Sequence, residues 1–348
     1  MLNPPVELRQ AFDAGRLWEW LRPFISDATR AVPVAQFDSG QSNPTYLIDV
    51  GTRKLVLRRK PPGTLLPSAH AVEREFRIMR ALAATRVPVP RCLALCEDPS
   101  VIGSAFYVME YVEGRIFRDP ALPSVSRTER GPIYAEMNRV IAELHSVDPN
   151  TLGLADYGRA GNYIERQVQR WTKQYRASQT EHIPAMDRLI EWLPLHIPPR
   201  DETRIVHGDF RLDNVIFDPQ EPCIRAVLDW ELSTLGHPLA DFAYHCLVWY
   251  RTPDMQQGLV GLDLEALALP PVRDYLAAYC NRLGREVVTP HEWEFYIVFN
   301  MFRLVGILQG VAARAIQGNA SSGRAAELGS GARPLAEEAW RRVEALGE

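Results

Sequence analysis

Residues 207–231 read HGDFRLDNVIFDPQEPCIRAVLDWE, and no other stretch limits the chain so strongly. Asp209 is followed five residues later by Asn214, and twenty residues later by Asp229 at the end of an apolar run. Residues 214–217 and 224–228 read as short strands, and Asp218-Pro219-Gln220-Glu221-Pro222 between them reads as a hairpin connection. Such a hairpin sets Asn214, at the start of one strand, near Asp229 at the end of the other. Phosphoryl transfer asks for a carboxylate at the attacking hydroxyl and at least two oxygen ligands for magnesium at the phosphates. Asp209, Asn214 and Asp229 offer that set.

The rest of the composition narrows the class. A chain of 348 residues is long for one core and suits two lobes. With 46% apolar and 24% charged residues it has an ordinary globular profile. A formal charge of -4 gives no pull toward nucleic acid or an anionic membrane surface. Residues 1–22 are polar and broken by Pro4 and Pro5, unlike a signal segment. The most apolar stretch, 295–316, carries Arg303 and Arg314, which speaks against a membrane span. Five cysteines stand at 92, 96, 223, 246 and 280, with no second pair to match Cys92 and Cys96. A zinc site is therefore not read, and a reduced, cytoplasmic protein is expected.

In the N-terminal third, 37–60 reads as two strands joined at Asp49-Val50-Gly51-Thr52. The first opens in the small, polar run Ser39-Gly40-Gln41-Ser42-Asn43, whose backbone N–H groups are suited to capping a polyphosphate, though a plain hairpin turn fits as well. Side chains alternate on the second strand, so Val56 and Arg58 share one face and Leu55 and Leu57 the other. Val56 over a base and Arg58 toward phosphate is the functional reading; a solubilising edge charge is the plain one. Ser68 caps a helix to about Ala84 with an apolar stripe of Val72, Phe76, Met79 and Ala83. Glu75 lies at the margin of that stripe, able to reach inward to a strand cation, while Glu73 faces solvent. Strands follow at 93–96 and 105–109, and 109–114 reads as a link whose backbone groups, at Glu110 and Val112, can read an adenine edge.

Farther on, 128–146 is helical, with His145 structural. Helices at 161–175 and 184–195 precede a strand at 204–206. Asp241 fits an early-helix position and reads as a buried brace for the catalytic loop. Further helices run to about Gln317, then a Gly-rich connection at 318–331 and a closing helix at about 335–346. Trp249, Tyr250, Trp293, Phe295, Tyr296 and Phe299 read mainly as core, with some available to an apolar acceptor site.

This ordered set resembles the aminoglycoside phosphotransferase and choline kinase group, which shares the protein-kinase fold. The resemblance runs from about Phe37 to Gln317. VLRRKPPGTLLPSAH, EREFRIMRAL and FRLVGILQGVAARAIQGNASS are most similar to a branch found as stand-alone bacterial proteins and fused to acyl-CoA dehydrogenases. It implies a two-lobed α+β fold: a small antiparallel sheet plus one helix in residues 1–113, and a larger, mainly helical lobe in 114–348 with inserted helices at about 150–203. It implies Asp209 as the base, Asn214 and Asp229 as magnesium ligands, and Glu75 as the orienter of Arg58, which stands where Lys is usual. Arg211 falls where a phosphate-touching Lys is found in protein kinases; Gly40, Ser42 and Asn43 match the phosphate loop, and Val56, Glu110 and Val112 the base site. Glu231 falls where related kinases carry an acid near a metal. The expected activity is ATP- and magnesium-dependent transfer to a small-molecule alcohol; a hydroxyacyl compound fits both the lack of a concentrated acidic run in the acceptor half and the resemblance to the fused branch. A kinase for cationic alcohols such as aminoglycosides or choline, a silent nucleotide-binding module and a non-enzymatic helical scaffold are the alternatives.

Overall fold

The structure, a computed structural model, describes residues 12–37, 43–61, 70–253, 258–317 and 329–347. In chain order these form α1 (Ala14–Leu21), β1 (Val32–Gln36), β2 (Thr45–Asp49), β3 (Lys54–Arg59), α2 (Val72–Leu82), β4 (Cys92–Cys96), α3 (Pro99–Ile102) and β5 (Phe106–Glu110). There follow α4 (Arg127–Ser146), α5 (Tyr163–Ala177), α6 (Pro184–Leu195), β6 (Arg204–Val206), β7 (Val215–Phe217), β8 (Ile224–Val227) and β9 (Thr234–Gly236). The chain continues through α7 (Pro238–His245), α8 (Val272–Arg282), α9 (Pro290–Ile316) and α10 (Ala332–Ala345).

Packing groups the chain into two compact units. The first comprises Met1–Arg118, Asn150–Leu154 and Arg211–Ser233; the second comprises Asp119–Pro149, Ala155–Phe210 and Thr234–Glu348. This grouping differs from a single cut at 113/114, because the β7–β8 hairpin packs with the earlier residues. Arg115 and Phe217 exchange backbone hydrogen bonds at 2.8 Å in both directions, and Val227 N–H donates to Pro88 O at 2.8 Å.

Unit one is built on an antiparallel sheet in the order β1-β2-β3-β5-β4. Alternation along β3 works as the sequence implies. Leu55 and Leu57 join Tyr46, Ile48 and Val50 in a core with Leu17 and Leu21 of α1, which leaves Val56 and Arg58 on the opposite face. The cap read at Ser68 lies outside the described residues, as does the connection at 318–328. The described part of α2 begins at Val72, with Ala71 at its N-cap and no side-chain cap bond. Glu73 and Glu75 in its first turn complement the helix dipole instead. Glu73 also pairs with Lys60 Nζ at 2.9 Å rather than standing alone in solvent.

Unit two is mainly helical. Its spine is α9, where Thr289 caps the N-terminus by accepting from Glu292 N–H at 3.2 Å. By length and hydropathy α9 is able to cross a membrane, but its apolar residues are mostly buried against α5, α7 and α10, as in the core helix of a globular unit. Trp249, Trp293, Phe295, Tyr296 and Phe299 are all buried, so the packing of this unit absorbs them, at about 1.5–3 kcal/mol for each large apolar side chain. Tyr250 is half-buried and accepts from Trp293 Nε1 at 2.7 Å. None of the six is therefore needed to explain an acceptor site. The strand β6 pairs antiparallel with β9, an element too short to read from sequence.

Candidate active site

In unit one, β3 and β5 pair so that Arg58 stands opposite Tyr107. Arg58 Nε lies 2.9 Å from Glu75 Oε2 in an ion pair. Its Nη2 donates to Asp229 Oδ1 at 2.8 Å and to Glu231 Oε2 at 3.4 Å. Glu75 is itself held from two sides, by Asn43 Nδ2 at 2.8 Å and by the Tyr107 hydroxyl at 3.1 Å. One planar fork thus serves three carboxylates, which a point-like ammonium cannot do in the same geometry. Burial opposes the Arg58 charge, but Glu75, with Tyr107, Asp229 and Glu231 behind it, more than offsets this and raises the guanidinium pKa. Burial lifts the Glu75 carboxyl to about 7, against the pull of Arg58. Burial likewise keeps the Tyr107 phenol protonated, so it remains a donor.

The hairpin that carries the other acid behaves as its turn chemistry requires. Asp218 Oδ1 accepts from Gln220 and Glu221 N–H at 2.9 and 3.1 Å, closing the turn. At the open end Leu228 N–H donates to Asn214 O at 2.8 Å, which sets Asn214 across from the residue before Asp229. Asp229 takes a left-handed backbone, φ 62° and ψ 59°, a region that non-glycine residues occupy at a cost and mostly where function or a turn demands it. Among the described residues no group of three His, Cys, Asp or Glu side chains forms a metal cluster. Asn214 and Asp229 carry the hard oxygen donors that magnesium takes, an ion that keeps several waters and fills the rest of its shell with substrate phosphate.

Beside Arg58 a cavity of about 110 Å³ is lined by Val56, Met79, Tyr107, Met109, Ile216 and Leu228, with Glu110 and Val112 at its edge. That is well below the roughly 300–1,000 Å³ of a site enclosing a whole drug-sized ligand. It suits one flat heterocycle. Glu110 N–H donates to Arg91 O at 3.0 Å and its carboxylate accepts from Arg91 N–H at 2.9 Å, which pins this strand end.

In unit two, Asp241 gathers the loop at residues 207–209. Its carboxylate accepts from His207 N–H at 2.7 Å and Gly208 N–H at 2.8 Å, and His145 Nε2 lies 3.1 Å away. Burial pushes Asp241 up, but these donors prevail and hold it below the usual carboxylate value. Gly208 has φ 84°, a turn that glycine makes without strain. Asp209 Oδ1 accepts from the Tyr244 hydroxyl at 2.9 Å.

The residues chosen from sequence thus fall as follows. Asn43, Arg58, Glu75 and Asp229 form one bonded group; Val56, Glu110 and Val112 surround the adjoining cavity; Asn214 sits at the hairpin's open end. Arg211 pairs with Asp213, and Asp209 belongs to the second unit. Gly40 and Ser42 lie outside the described residues. Two participants were missed. Tyr107 was findable as the cross-strand neighbour of Arg58, and Tyr244 as the residue one helical turn beyond Asp241.

Residues 33–290 match the profile of the phosphotransferase enzyme family. A mouse protein, acyl-CoA dehydrogenase family member 10, is 50% identical over 97% of this chain and 32% of its own length. Human acyl-CoA dehydrogenase family member 11 is 42% identical over 94% of this chain and 42% of its own. The chain therefore spans about a third to two-fifths of these curated relatives. A solved Ralstonia eutropha protein, provisionally described as an aminoglycoside phosphotransferase, is 50% identical with a TM-score of 0.88, covering 96% of this chain and 99% of that one. Aminoglycoside phosphotransferase APH(4)-Ia, solved with AMP-PNP and hygromycin B, shares the fold at 16% identity and a TM-score of 0.62, covering 94% of this chain and 99% of that one.

Proposed function

The chain belongs to the phosphotransferase enzyme family, and on that premise we propose that it transfers the γ-phosphoryl group of ATP to a hydroxyl of a small molecule, a hydroxyacyl compound in the first instance. The observation that carries this reading is the bonded group in which Arg58 joins Glu75 to Asp229, beside a cavity sized for a base. Residues 1–113 are assigned nucleotide binding, and 114–348 catalysis and acceptor binding.

Asp209 orients the acceptor hydroxyl and takes its proton as the new P–O bond forms and the bond to ADP breaks. Asn214 and Asp229 hold magnesium, which when bound neutralises charge on the phosphates. Arg58 and Arg211 orient phosphate oxygens, with Glu75 fixing the fork of Arg58. Gly40, Ser42 and Asn43 are assigned to the phosphates, Val56 covers the base, and Glu110 and Val112 meet its edge through their backbone. Five free cysteines, three of them buried, favour a reducing cytoplasm as the setting. The hydroxyacyl choice rests on relatives named for acyl-CoA dehydrogenation and on the near balance of acidic and basic side chains after Leu232, 13 against 10. The hygromycin B complex of the APH(4)-Ia neighbour favours a second reading, a cationic aminoglycoside as acceptor.

A coupled ADP-release screen over hydroxyacyl thioesters, free hydroxy acids, kanamycin and choline tests both, with Asp209→Asn as the blank. Magnesium-dependent turnover is expected with a hydroxyacyl compound. The substitution should lower turnover roughly 10²–10⁴-fold while ATP binding persists. Wild-type turnover in Asp209→Asn would remove Asp209 from the chemistry, and turnover with kanamycin or choline alone would reverse the order of acceptors.

A further inference from the structure

We propose that Tyr244 is a positioning residue for the transfer: it fixes the rotamer of Asp209 by bonding Oδ1, so that Oδ2 receives the acceptor's proton. This rests on the reading of Asp209 as the base. The phenol donates to Oδ1 at 2.9 Å, an O–H···O⁻ bond of the strong, charge-assisted kind. Tyr244 and Asp241 lie three residues apart on α7, so one helix face supports the catalytic loop twice. Asp241 holds the backbone of His207 and Gly208, and Tyr244 holds the carboxylate of the next residue.

Tyr244 is itself fixed. The Arg303 guanidinium of α9 stands 4.7 Å from the centre of its ring, and Arg303 Nη2 donates to Gly208 O at 2.8 Å. A cation over the face of a phenol draws electron density from the ring and makes the hydroxyl a better donor. Arg303 is buried and also stacks on Trp171 at 5.8 Å. Among the described residues, the titratable or charged groups at this loop include Tyr244 on the carboxylate, Arg303 and Asp241 on the backbone of residues 207–208, and His207, whose Nδ1 accepts from Asp209 N–H at 3.2 Å. Tyr244 keeps its own proton throughout; the proton of the acceptor goes to Asp209.

Tyr244→Phe removes one hydroxyl and leaves the ring under Arg303. In the full chain, with ATP, magnesium and the best acceptor from the screen or water, kcat should fall roughly 10–100-fold. KM for ATP and the thermal midpoint should hold. Losing a donor to the ionised carboxylate should also move the acidic limb of the kcat profile to higher pH. A Tyr244→Phe enzyme with the wild-type kcat and pH profile, while Asp209→Asn is inactive, overturns the positioning role and leaves the function reading intact. A fall in kcat accompanied by a lower thermal midpoint and an unmoved pH limb overturns it in favour of a structural role. An active Asp209→Asn, or a wild type with no ADP release, removes the function reading and this inference with it.

Discussion

Around Arg58 one cation faces three carboxylates, whereas around Asp209 a phenol meets the carboxylate and a second acid collects the backbone donors of the loop. Unit one holds its group by opposed charges in a partly water-free place, and its geometry depends on which of those groups are ionised. Unit two holds its group by hydrogen bonds to loop backbone and to the Tyr244 hydroxyl, with His237 and His245 lowered by burial to about 4 and hence neutral near pH 7. The first arrangement depends on the charge states of its members, so the proposed arrival of a triphosphate and a metal would redistribute its ion pairs. The second is fixed by hydrogen bonds, which is what the proposed role of Asp209 as a base would require.

The contrast is open to breakage through acid, where the largest effect is expected. The two histidines titrate near 6.5 when unfolded and near 4 when folded, so the stability they carry is full above 6.5 and lost as pH falls through 4. At up to about 3 kcal/mol each, the pair should cost unit two roughly 6 kcal/mol by the end of that window. Hydrogen exchange of the α7 amides, followed against pH, reads this directly; protection unchanged at pH 4 would contradict a neutral, buried pair.

Next in size is Asp241→Ala, which strands two buried backbone N–H groups and should cost roughly 3–5 kcal/mol. Chemical denaturation at low and high salt distinguishes the two means of support, since a loss fixed by hydrogen bonds barely changes with ionic strength. A loss that vanishes in high salt would make unit two as electrostatic as unit one.

Smallest is the Glu75 effect, and its sign is the reverse of the histidines'. Its pKa rises from 4.5 to about 7 on folding, so the folded state keeps a proton that the unfolded chain releases. The associated stability is full below 4.5 and is lost as pH rises through 7, by at most about 3 kcal/mol. The stability of the wild type relative to Glu75→Gln should therefore shrink from about pH 5 to about 8. A gap that widens over this range would mean that Arg58 keeps Glu75 ionised throughout.

Much of this was legible from period and spacing. Period-two alternation on β3 assigns Val56 and Arg58 to one face, and helix spacing turns Glu75 toward them. The hairpin from 214 to 228 and the bracing role of Asp241 followed from turn residues and helix position. What remained hidden depended on contacts between segments far apart in the chain. The partners of Asn43 come from α2 and from His70, and those of Tyr244 from the loop at 208–209 and from α9. β9 and α1 are short and carry too few periods to stand out. The aromatic side chains of 249–299 show composition but not depth, and only packing settles that they fill the core.

Because unit one is assembled from three separated stretches of chain, its final piece is Arg211–Ser233. A ribosome reading from the first codon therefore emits the sheet long before it emits the partner of Arg58. Until residue 229 emerges, the cation is left with Glu75 as its anionic neighbour, and the hydrophobic edge that β7 and β8 will cover is bare. Nascent sheet intermediates of this protein should accordingly be chaperone clients from the completion of β5 at Glu110 until the hairpin at 211–233 emerges, and a gene truncated after residue 118 should yield material prone to aggregation.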